Sequence, residues 1–384
     1  MTDSLASAPR PARKLAGLVA ALAIAVAACS GSSATTAPSA ASAAPSAAAS
    51  TAPSTVANAS ASAAVSASAA ASGSTAPSTA AIPSPEAGTF QMGTEPWLGY
   101  GPWWIAKEKD FFGKEGVTTT VTNFDADDQI NAALVSGQIQ GANIATHTAL
   151  RLISSGTPIT IVLLLDQSNS ADAMIAGPGV TSVADLKGKK VAYEEGTTSD
   201  ILLRYALSQN SMVITDITKV PTPANNVGNV LIAKKVDAGV TYEPYLTSTT
   251  TADPSIKVIY KAEALPGLIG DVFVVRNDYL AAHPGQVYGL LRAWGDSVDY
   301  YNANTADGQA IIEKAIGADA GSLKTAFDGV TLYDLKSAKG LMTGGAYGKT
   351  LAMVKQIATD AGIITSPVDE TKVVDTSFIT ALVP

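Results

Sequence analysis

The chain has 384 residues, of which 33 are acidic and 25 are basic, and a formal net charge of −8 at pH 7. This acidic balance argues against a nucleic acid as a partner, because phosphate backbones are bound by clustered positive charge. The single cysteine and the two histidines exclude a disulfide framework and the usual zinc and nucleophile sites, so we expect no metal, no cofactor and no catalytic residue.

The first 29 residues predict export and lipid anchoring. Three basic residues, the last of them Lys14, precede a charge-free apolar run over residues 15–28. This run is shorter than the roughly 20 residues that span a bilayer, and it is typical of a secretory signal. It ends in Val26-Ala27-Ala28-Cys29, which resembles the bacterial lipobox. We therefore expect residues 1–28 to be removed and Cys29 to carry a lipid that holds the chain on the outer face of the cytoplasmic membrane. The alternative is an ordinary signal peptide with an incidental cysteine.

Residues 29–87 are predicted to form a disordered tether. From Ser30 to Ala87 the sequence contains one charged residue, Glu86, no aromatic residue, and mostly alanine, serine, threonine and proline. Such a segment has too little large apolar surface to offset the entropy cost of ordering it. An alanine-rich helix is the alternative, which the scattered prolines disfavour.

The remaining segment, residues 88–384, is longer than a usual single core, so we expect two lobes. Its order of elements predicts an α/β fold with parallel sheets, in which ligands bind at the carboxyl ends of the strands. Apolar periodicity and turn residues predict both strands and helices in this segment. The predicted strands are, in chain order, Thr89–Glu95, Val117–Phe124, Ile159–Leu165, Ala171–Ala176, Lys189–Glu194, Ile217–Val220, Ala238–Thr241, Ile256–Tyr260 and Val272–Val275. The predicted helices are Pro102–Phe112, Asp127–Ser136, Thr198–Ser208 and Pro284–Asn302.

Four segments of this part carry a resemblance to a known family. In chain order they are Trp97–Tyr100 with the helix after it, Val183–Ala192, Glu195–Ser199 and Val236–Tyr245. Together they resemble the nitrate, sulfonate, taurine and thiamine-pyrimidine group of periplasmic binding proteins, which deliver solutes to ABC importers. The resemblance implies the type II periplasmic binding protein fold, with two parallel-sheet lobes joined by two crossing strands and the solute in the cleft between them.

The resemblance also implies a domain organisation and a set of partners. Lobe I would comprise residues 88–175 and 274–384, and lobe II residues 176–273, with crossings near Ala171–Gly177 and Asp271–Arg276. The partners would be a small-molecule solute, an ABC permease and ATPase complex, and the membrane through the lipid anchor. The chain would be a monomer and not an enzyme.

Two other classes of function are compatible with such a chain. One is a ligand-sensing surface lipoprotein without a transporter. The other is an enzyme related to a pyrimidine synthase of the same architecture. That enzyme depends on a stretch rich in cysteine and histidine, which this chain lacks.

Three aromatic residues are candidates for the wall of the cleft. Trp97 and Tyr100 follow the first predicted strand in a loop that also contains Gly99, and Tyr242 lies in the last of the four resembling segments. We expect all three to bind the ligand. The alternative for Trp97 is a place in the core.

Five residues at two predicted helix starts are further ligand-binding candidates. Thr146 and His147 follow a short strand, and Thr197, Thr198 and Ser199 open another helix. Free N–H groups at a helix start favour an anionic oxygen of a solute. The alternatives are that the hydroxyls act only as N-caps and that His147 is structural.

Six carboxylates fall at predicted strand ends or in the crossing segments, and Asp172 and Asp271 stand inside or beside apolar strands, where a charge needs a partner. The six are Asp166, Asp172, Glu194, Glu195, Glu243 and Asp271. An acidic and aromatic cleft suits an ammonium or guanidinium group, and taurine would satisfy both this set and a helix start. We therefore expect Asp172, Glu243 and Asp271 to bind a small taurine-like or other amine-containing solute. Alternatively, Glu243 caps the next helix and Asp271 pairs with Arg276, which would favour an anionic sulfonate.

Overall fold

The computed structural model describes residues 81–265 and 267–383 of the chain. The predicted signal sequence, Cys29 and most of the predicted tether lie outside the described residues. Among the residues that are described, no helix is both long enough and apolar enough to cross a membrane. Export and lipid anchoring therefore stay predictions.

The strands of the described residues belong to two sheets. They are β1 (Thr89–Thr94), β2 (Thr118–Asn123), β3 (Gly141–Ala145), β4 (Ile159–Ser168), β5 (Asp172–Ala176), β6 (Lys190–Tyr193), β7 (Thr218–Pro221), β8 (Ala238–Tyr242), β9 (Lys257–Lys261), β10 (Gly270–Arg276) and β11 (Val330–Leu332). The first sheet has the order β11-β4-β10-β3-β1-β2, and the second has the order β7-β6-β8-β5-β9.

Helices connect and cover these strands. They are α1 (Gly101–Glu108), α2 (Phe111–Lys114), α3 (Asp127–Ser136), α4 (Thr146–Ser154), α5 (Thr198–Gln209), α6 (Val227–Ile232), α7 (Tyr245–Ala252), α8 (Asn277–Ala282), α9 (Pro284–Ala303), α10 (Thr305–Ala315), α11 (Leu335–Thr343), α12 (Ala346–Asp360) and α13 (Ser377–Leu382). The predicted helix over residues 102–112 is two helices, because Asp110 adopts a left-handed φ of 56° that an α-helix does not accommodate.

The helix predicted over Pro284–Asn302 corresponds to α9, and its apolar residues Val287, Leu290, Leu291, Trp294 and Val298 are buried in the core. Trp294 of this helix is fully buried and packs on Trp103 of α1, with ring centroids 4.9 Å apart. The Trp103 indole also donates to the side-chain oxygen of Asn143 in β3, at 2.8 Å. This packing fixes the first sheet against the helices on one of its faces.

The two-lobed α/β fold is confirmed, but each sheet is mixed rather than parallel. β1 runs parallel to β2 and β3, and β6 runs parallel to β7 and β8. β10 is antiparallel to β3 and β4, and β5 is antiparallel to β8 and β9. The reason is that the chain enters β5 and β10 from the other sheet, so these strands begin at the edge where their neighbours end.

The predicted crossing segments are therefore strands that each lie in one sheet. β5 belongs to the second sheet and β10 to the first. The chain passes between the sheets just before each of these strands, so Asp172 and Asp271 stand near the points of passage. The lobe boundaries given above stay a prediction.

Candidate functional site

A cavity lies between the carboxyl edges of the two sheets. Its empty volume is about 520 Å³, counting the solvent at its mouth. Both sheets contribute to its lining, which consists of Glu95, Trp97, Tyr100, Asp127, Ile144, Ala145, Thr148, Asp172, Glu194, Thr197, Thr198, Ala224, Tyr242, Ile269 and Asp271. Seven of the predicted ligand-binding residues are thus brought together: Trp97, Tyr100, Asp172, Thr197, Thr198, Tyr242 and Asp271.

The topology explains why carboxylates converge on this cavity. Glu95 and Glu194 directly follow the parallel strands β1 and β6. Asp172 begins β5 opposite Tyr242 at the end of β8, and Asp271, near the start of β10, stands opposite the last residue of β3. Strands of both directions therefore place an acidic residue at the same edge.

Asp166 and Asp271 form a carboxyl pair beneath the aromatic wall. The two residues are register partners on β4 and β10, and the Trp97 indole donates to Asp166 Oδ1 at 3.2 Å. Burial raises the pKa of Asp166 to about 7. Burial, and then repulsion from Asp166, raises the pKa of Asp271 well above its ordinary value. Two carboxyl groups this close do not both ionise near neutral pH, so the pair holds a proton.

Glu95 and Asp127 form a second carboxyl pair on the same side of the cavity. Burial raises the pKa of Glu95 well above its ordinary value, and the neighbouring Asp127 raises it further. Burial also raises the pKa of Asp127, against the lowering effect of its hydrogen bond with Glu95. Both shifts favour the protonated form of this pair, although the charge of Arg151 lowers the pKa of Asp127 in part.

The second sheet contributes two more acidic groups. Burial raises the pKa of Asp172 to about 7, and the Ser168 side chain offsets part of this effect. Burial also raises the pKa of Glu194, although its Oε2 accepts a hydrogen bond from the backbone N–H of Ala224 at 2.9 Å. Each raised pKa reflects a carboxyl group that has lost solvent without gaining a positive partner.

The aromatic residues close the cavity from opposite sides. Trp97 lies shortly after β1 of the first sheet, and Tyr242 is the last residue of β8 in the second sheet. Their rings pack edge to face, with centroids 5.9 Å apart. Tyr245 continues this edge-to-face contact beyond Tyr242, at 5.3 Å. Trp97 and Tyr100 are each only 5% exposed. They are therefore buried residues that also line the cavity.

Four predicted ligand-binding residues do not line the cavity. Thr146 lines a neighbouring cavity instead. His147 is 1% exposed, and burial lowers its pKa to about 3, so its imidazole is neutral. The backbone N–H of Ser199 donates to the Thr197 hydroxyl at 3.3 Å, and the Ser199 side chain is buried. The fourth is Glu243.

The carboxylate of Glu243 belongs to the start of α7. Its Oε2 accepts the backbone N–H of Thr247 at 3.0 Å, and its Oε1 accepts the Thr247 hydroxyl at 2.8 Å. The capping alternative is therefore the one the geometry favours for Glu243. The suggested pairing of Asp271 with Arg276 is wrong, because the Arg276 guanidinium bonds Asp278 and the carbonyl of Leu134.

The start of α5 is capped by its own residues. The Thr197 hydroxyl accepts the N–H of Ser199, and the N–H of Gly196 donates to Asp200 Oδ2 at 3.1 Å. Two of the N–H groups around this helix start are therefore already bonded within the chain. Of the six strand-end carboxylates, Glu195 faces outward, where it pairs with Lys219 at 2.8 Å.

Sequence reasoning missed several lining residues, of which Glu95 and Asp127 are the most informative. Glu95 ends the first predicted strand, and Asp127 begins the helix predicted after the second strand, so the rule that ligands bind at carboxyl ends of strands selects both. Among the residues that the structure describes, no lysine, arginine or histidine lines the cavity. Within the described residues, no group of three or more histidine, cysteine, aspartate or glutamate side chains is arranged to hold a metal ion.

Two α/β lobes with a ligand-sized cavity between their sheet edges define the fold of the periplasmic binding proteins. The family model described as NMT1/THI5 like matches residues 99–307. This match covers more than half of the chain, so the chain belongs to that family, and the resemblance stated from the sequence is confirmed.

Three comparisons illustrate this relationship. A Brucella abortus protein described as a candidate binding protein is 27% identical over 268 residues, which are 69% of this chain and 83% of that protein. The taurine-binding periplasmic protein of Escherichia coli is 25% identical over 206 residues, 52% of this chain and 63% of that protein. The alkanesulfonate-binding protein of Xanthomonas axonopodis pv. citri, solved with MOPS bound, superposes with a TM-score of 0.64 and 18% identity over 76% of this chain and 99% of that chain.

Proposed function

We propose that the chain is the extracytoplasmic solute-binding component of an ABC importer, and that its solute carries an ammonium or guanidinium group. The observation that carries this proposal is the lining of the cavity, which includes five carboxyl groups and three aromatic rings but no basic side chain. Carboxylates pair with such cations through charge-assisted hydrogen bonds, and aromatic faces attract them.

An anion without an amine fits this cavity poorly. Nitrate or a simple sulfonate would meet five carboxyl groups in the lining and no basic side chain among the described residues that form it. A zwitterion such as taurine, the ligand named for one relative, can direct its ammonium group to the carboxylates. The proposed solute class therefore includes taurine and excludes plain sulfonates.

The carboxyl pairs also suggest how the cation binds. In the ligand-free cavity, the raised pKa values of the pairs Asp166 with Asp271 and Glu95 with Asp127 favour a proton on each pair. A cation that enters can replace these protons and let the carboxylates ionise, so solute binding releases protons.

A matched series of small ligands tests the solute class. Taurine, ethylammonium and guanidinium should raise the melting temperature of the purified chain, whereas ethanesulfonate and nitrate should not. A ligand concentration of one hundred times Kd stabilises the folded state by about 2.7 kcal/mol, and a thermal-shift assay resolves a change of this size. If ethanesulfonate and nitrate stabilise the chain and none of the amines does, the proposed solute class is wrong.

Lipid anchoring by Cys29 is the second part of the proposal, and the sequence around Cys29 supports it. We expect Cys29→Ala to abolish lipidation, so that the chain leaves the membrane fraction or accumulates unprocessed. Fractionation of cells that express either form, with labelled palmitate, measures this. If the variant is cleaved but stays fully bound to the membrane, lipid anchoring by Cys29 is wrong.

Deletion of the gene distinguishes an importer component from a sensing lipoprotein. Loss of solute uptake on deletion is expected for an importer component, whereas a sensing lipoprotein would bind the solute without supporting its uptake.

A further inference from the structure

A second cavity lies behind the cleft, between the first sheet and helices α11 and α12. Its lining includes Asp166 and Leu164 of β4, Leu341 of α11 and Tyr347 of α12. Its empty volume is about 580 Å³, counting the solvent at its mouth. It shares no lining residue with the cleft cavity, although its Asp166 also interacts with Asp271 of the cleft.

Two buried polar atoms of this lining lack a hydrogen-bond partner among the described residues. They are Oδ2 of Asp166 and the hydroxyl of Tyr347, whose residues are 0% and 4% exposed. Burial raises the pKa of Tyr347, and the nearby Thr146 side chain offsets part of this effect, but no hydrogen bond of normal geometry joins the two. Buried polar atoms are nearly always paired in folded proteins, so the Tyr347 hydroxyl calls for a partner, whereas Asp166 already interacts with the carboxyl group of Asp271.

Asp166 stands between the two cavities. Its Oδ1 accepts the indole N–H of Trp97, which lines the cleft, whereas its side chain lines the second cavity. The proton that Asp166 shares with Asp271 is the other donor nearby. A carboxylate offers about four lone-pair sites, so one shared proton and one indole leave acceptor capacity unused.

We propose that the second cavity binds a small alkylammonium ion, which donates hydrogen bonds to Asp166 and Tyr347 and packs its alkyl stem on Leu164 and Leu341. An ammonium group has three donors and no acceptor, which matches a carboxylate oxygen, a phenolic oxygen and the hydroxyl of Thr146. The buried carboxylate disfavours an anion, and a neutral alcohol supplies a single donor.

Titration calorimetry of the full chain with n-propylammonium chloride tests this site, with n-propanol as the neutral probe. Tyr347→Phe keeps the ring and removes one acceptor, so it should weaken one binding event roughly ten- to hundredfold, the usual effect of losing a hydrogen bond to a charged group. Asp166→Asn should weaken the same event at least as much. Tyr288→Phe, whose ring packs on Phe378 outside this cavity, is the matched control and should change nothing.

A cleft variant separates this proposal from the proposed function. Asp172→Asn should weaken only the cleft event, whereas Tyr347→Phe should weaken only the second. If the cleft event is missing but a Tyr347-dependent event persists, the second site stands and the proposed function fails. If Tyr347→Phe and Asp166→Asn leave every propylammonium event at wild-type affinity, or if a crystal soaked in propylammonium shows only water beside Asp166, the second site is wrong.

Discussion

The carboxyl group of Asp166 lies directly against the backbone of Gly99. A Cβ at position 99 would overlap all three atoms of that carboxyl group, so the residue there has to be glycine while Asp166 keeps its bond to Trp97. The segment Trp97–Tyr100, which carried part of the family resemblance, is therefore shaped by its packing on one buried acid. This contact links the aromatic wall to the carboxyl pair.

We expect Gly99→Ala to destabilise the chain by about 1–3 kcal/mol or more, because the buried neighbour cannot move without losing its partners. Urea unfolding measures this change. Gly340→Ala in α11 is the matched control, since a Cβ there meets nothing within 4 Å. The control should be neutral or stabilise the chain by up to about 1 kcal/mol. Equal effects of the two substitutions would contradict the packing argument.

Asp172 and Glu243 lie at adjoining ends of the neighbouring strands β5 and β8, but their side chains have different surroundings. Asp172 lines the cavity, whereas Glu243 is bonded to Thr247 at the start of α7. We expect Asp172→Asn to weaken amine binding at least about thirtyfold, because losing one partner of a desolvated charge pair commonly costs about 2–5 kcal/mol. Glu243→Gln, a neutralisation of the same kind, should lower stability and leave affinity near wild type. Calorimetry on both folded variants measures this, and the reverse ranking would return Glu243 to the cavity.

At the scale of elements, the antiparallel strands β5 and β10 bring acidic residues to the cleft. Each strand begins where its parallel neighbours end, so Asp172 and Asp271 join Glu95 and Glu194, which follow parallel strands. A sheet with parallel strands alone would have placed the two aspartates at the opposite edge. The mixed direction of the strands is thus what concentrates carboxyl groups at one site.

This concentration makes stability depend on pH. Burial raises the pKa of Asp166 and Asp172 to about 7, from an ordinary value of 3.8. Between about pH 4 and 7 the folded chain keeps protons that the unfolded chain releases, so the free energy of unfolding falls as pH rises through this window. We expect the melting temperature of the ligand-free chain to fall from about pH 5 to 7.5, with a shallower fall in Asp172→Asn. Calorimetry in matched buffers checks both slopes, and a steady rise in the same window would contradict the raised pKa values.

At the scale of the whole molecule, the two lobes meet across the cleft in this structure. Trp97 contacts Tyr242, and the Asn225 side chain donates to the carbonyl of Asp125 at 3.2 Å. Carboxyl groups from both lobes face each other in the space behind these contacts. Their repulsion grows as they ionise, so it opposes closure until a cation enters.

We therefore expect hinge closure on ligand binding, as in other two-lobed binding proteins. Near pH 8, small-angle scattering should give a smaller radius of gyration for the chain with saturating amine than without it. The Asp172→Asn variant at the same amine concentration is the control and should keep the larger radius. An unchanged profile with a ligand of proven tight binding would count against closure.

The sequence by itself determined the class of fold, because apolar strands that alternate with amphipathic helices pack in few ways, and because four ordered segments carry the family resemblance. It also selected Trp97, Asp172 and Asp271 as candidates, which line the cavity, since an aromatic loop and acids in apolar strands stand out locally. Only the tertiary structure decided which strands are antiparallel, and that Glu243 caps a helix while Glu95 and Asp127 pair. These facts depend on which residues meet across two sheets, and contacts between residues far apart in sequence leave no periodic signal in the chain.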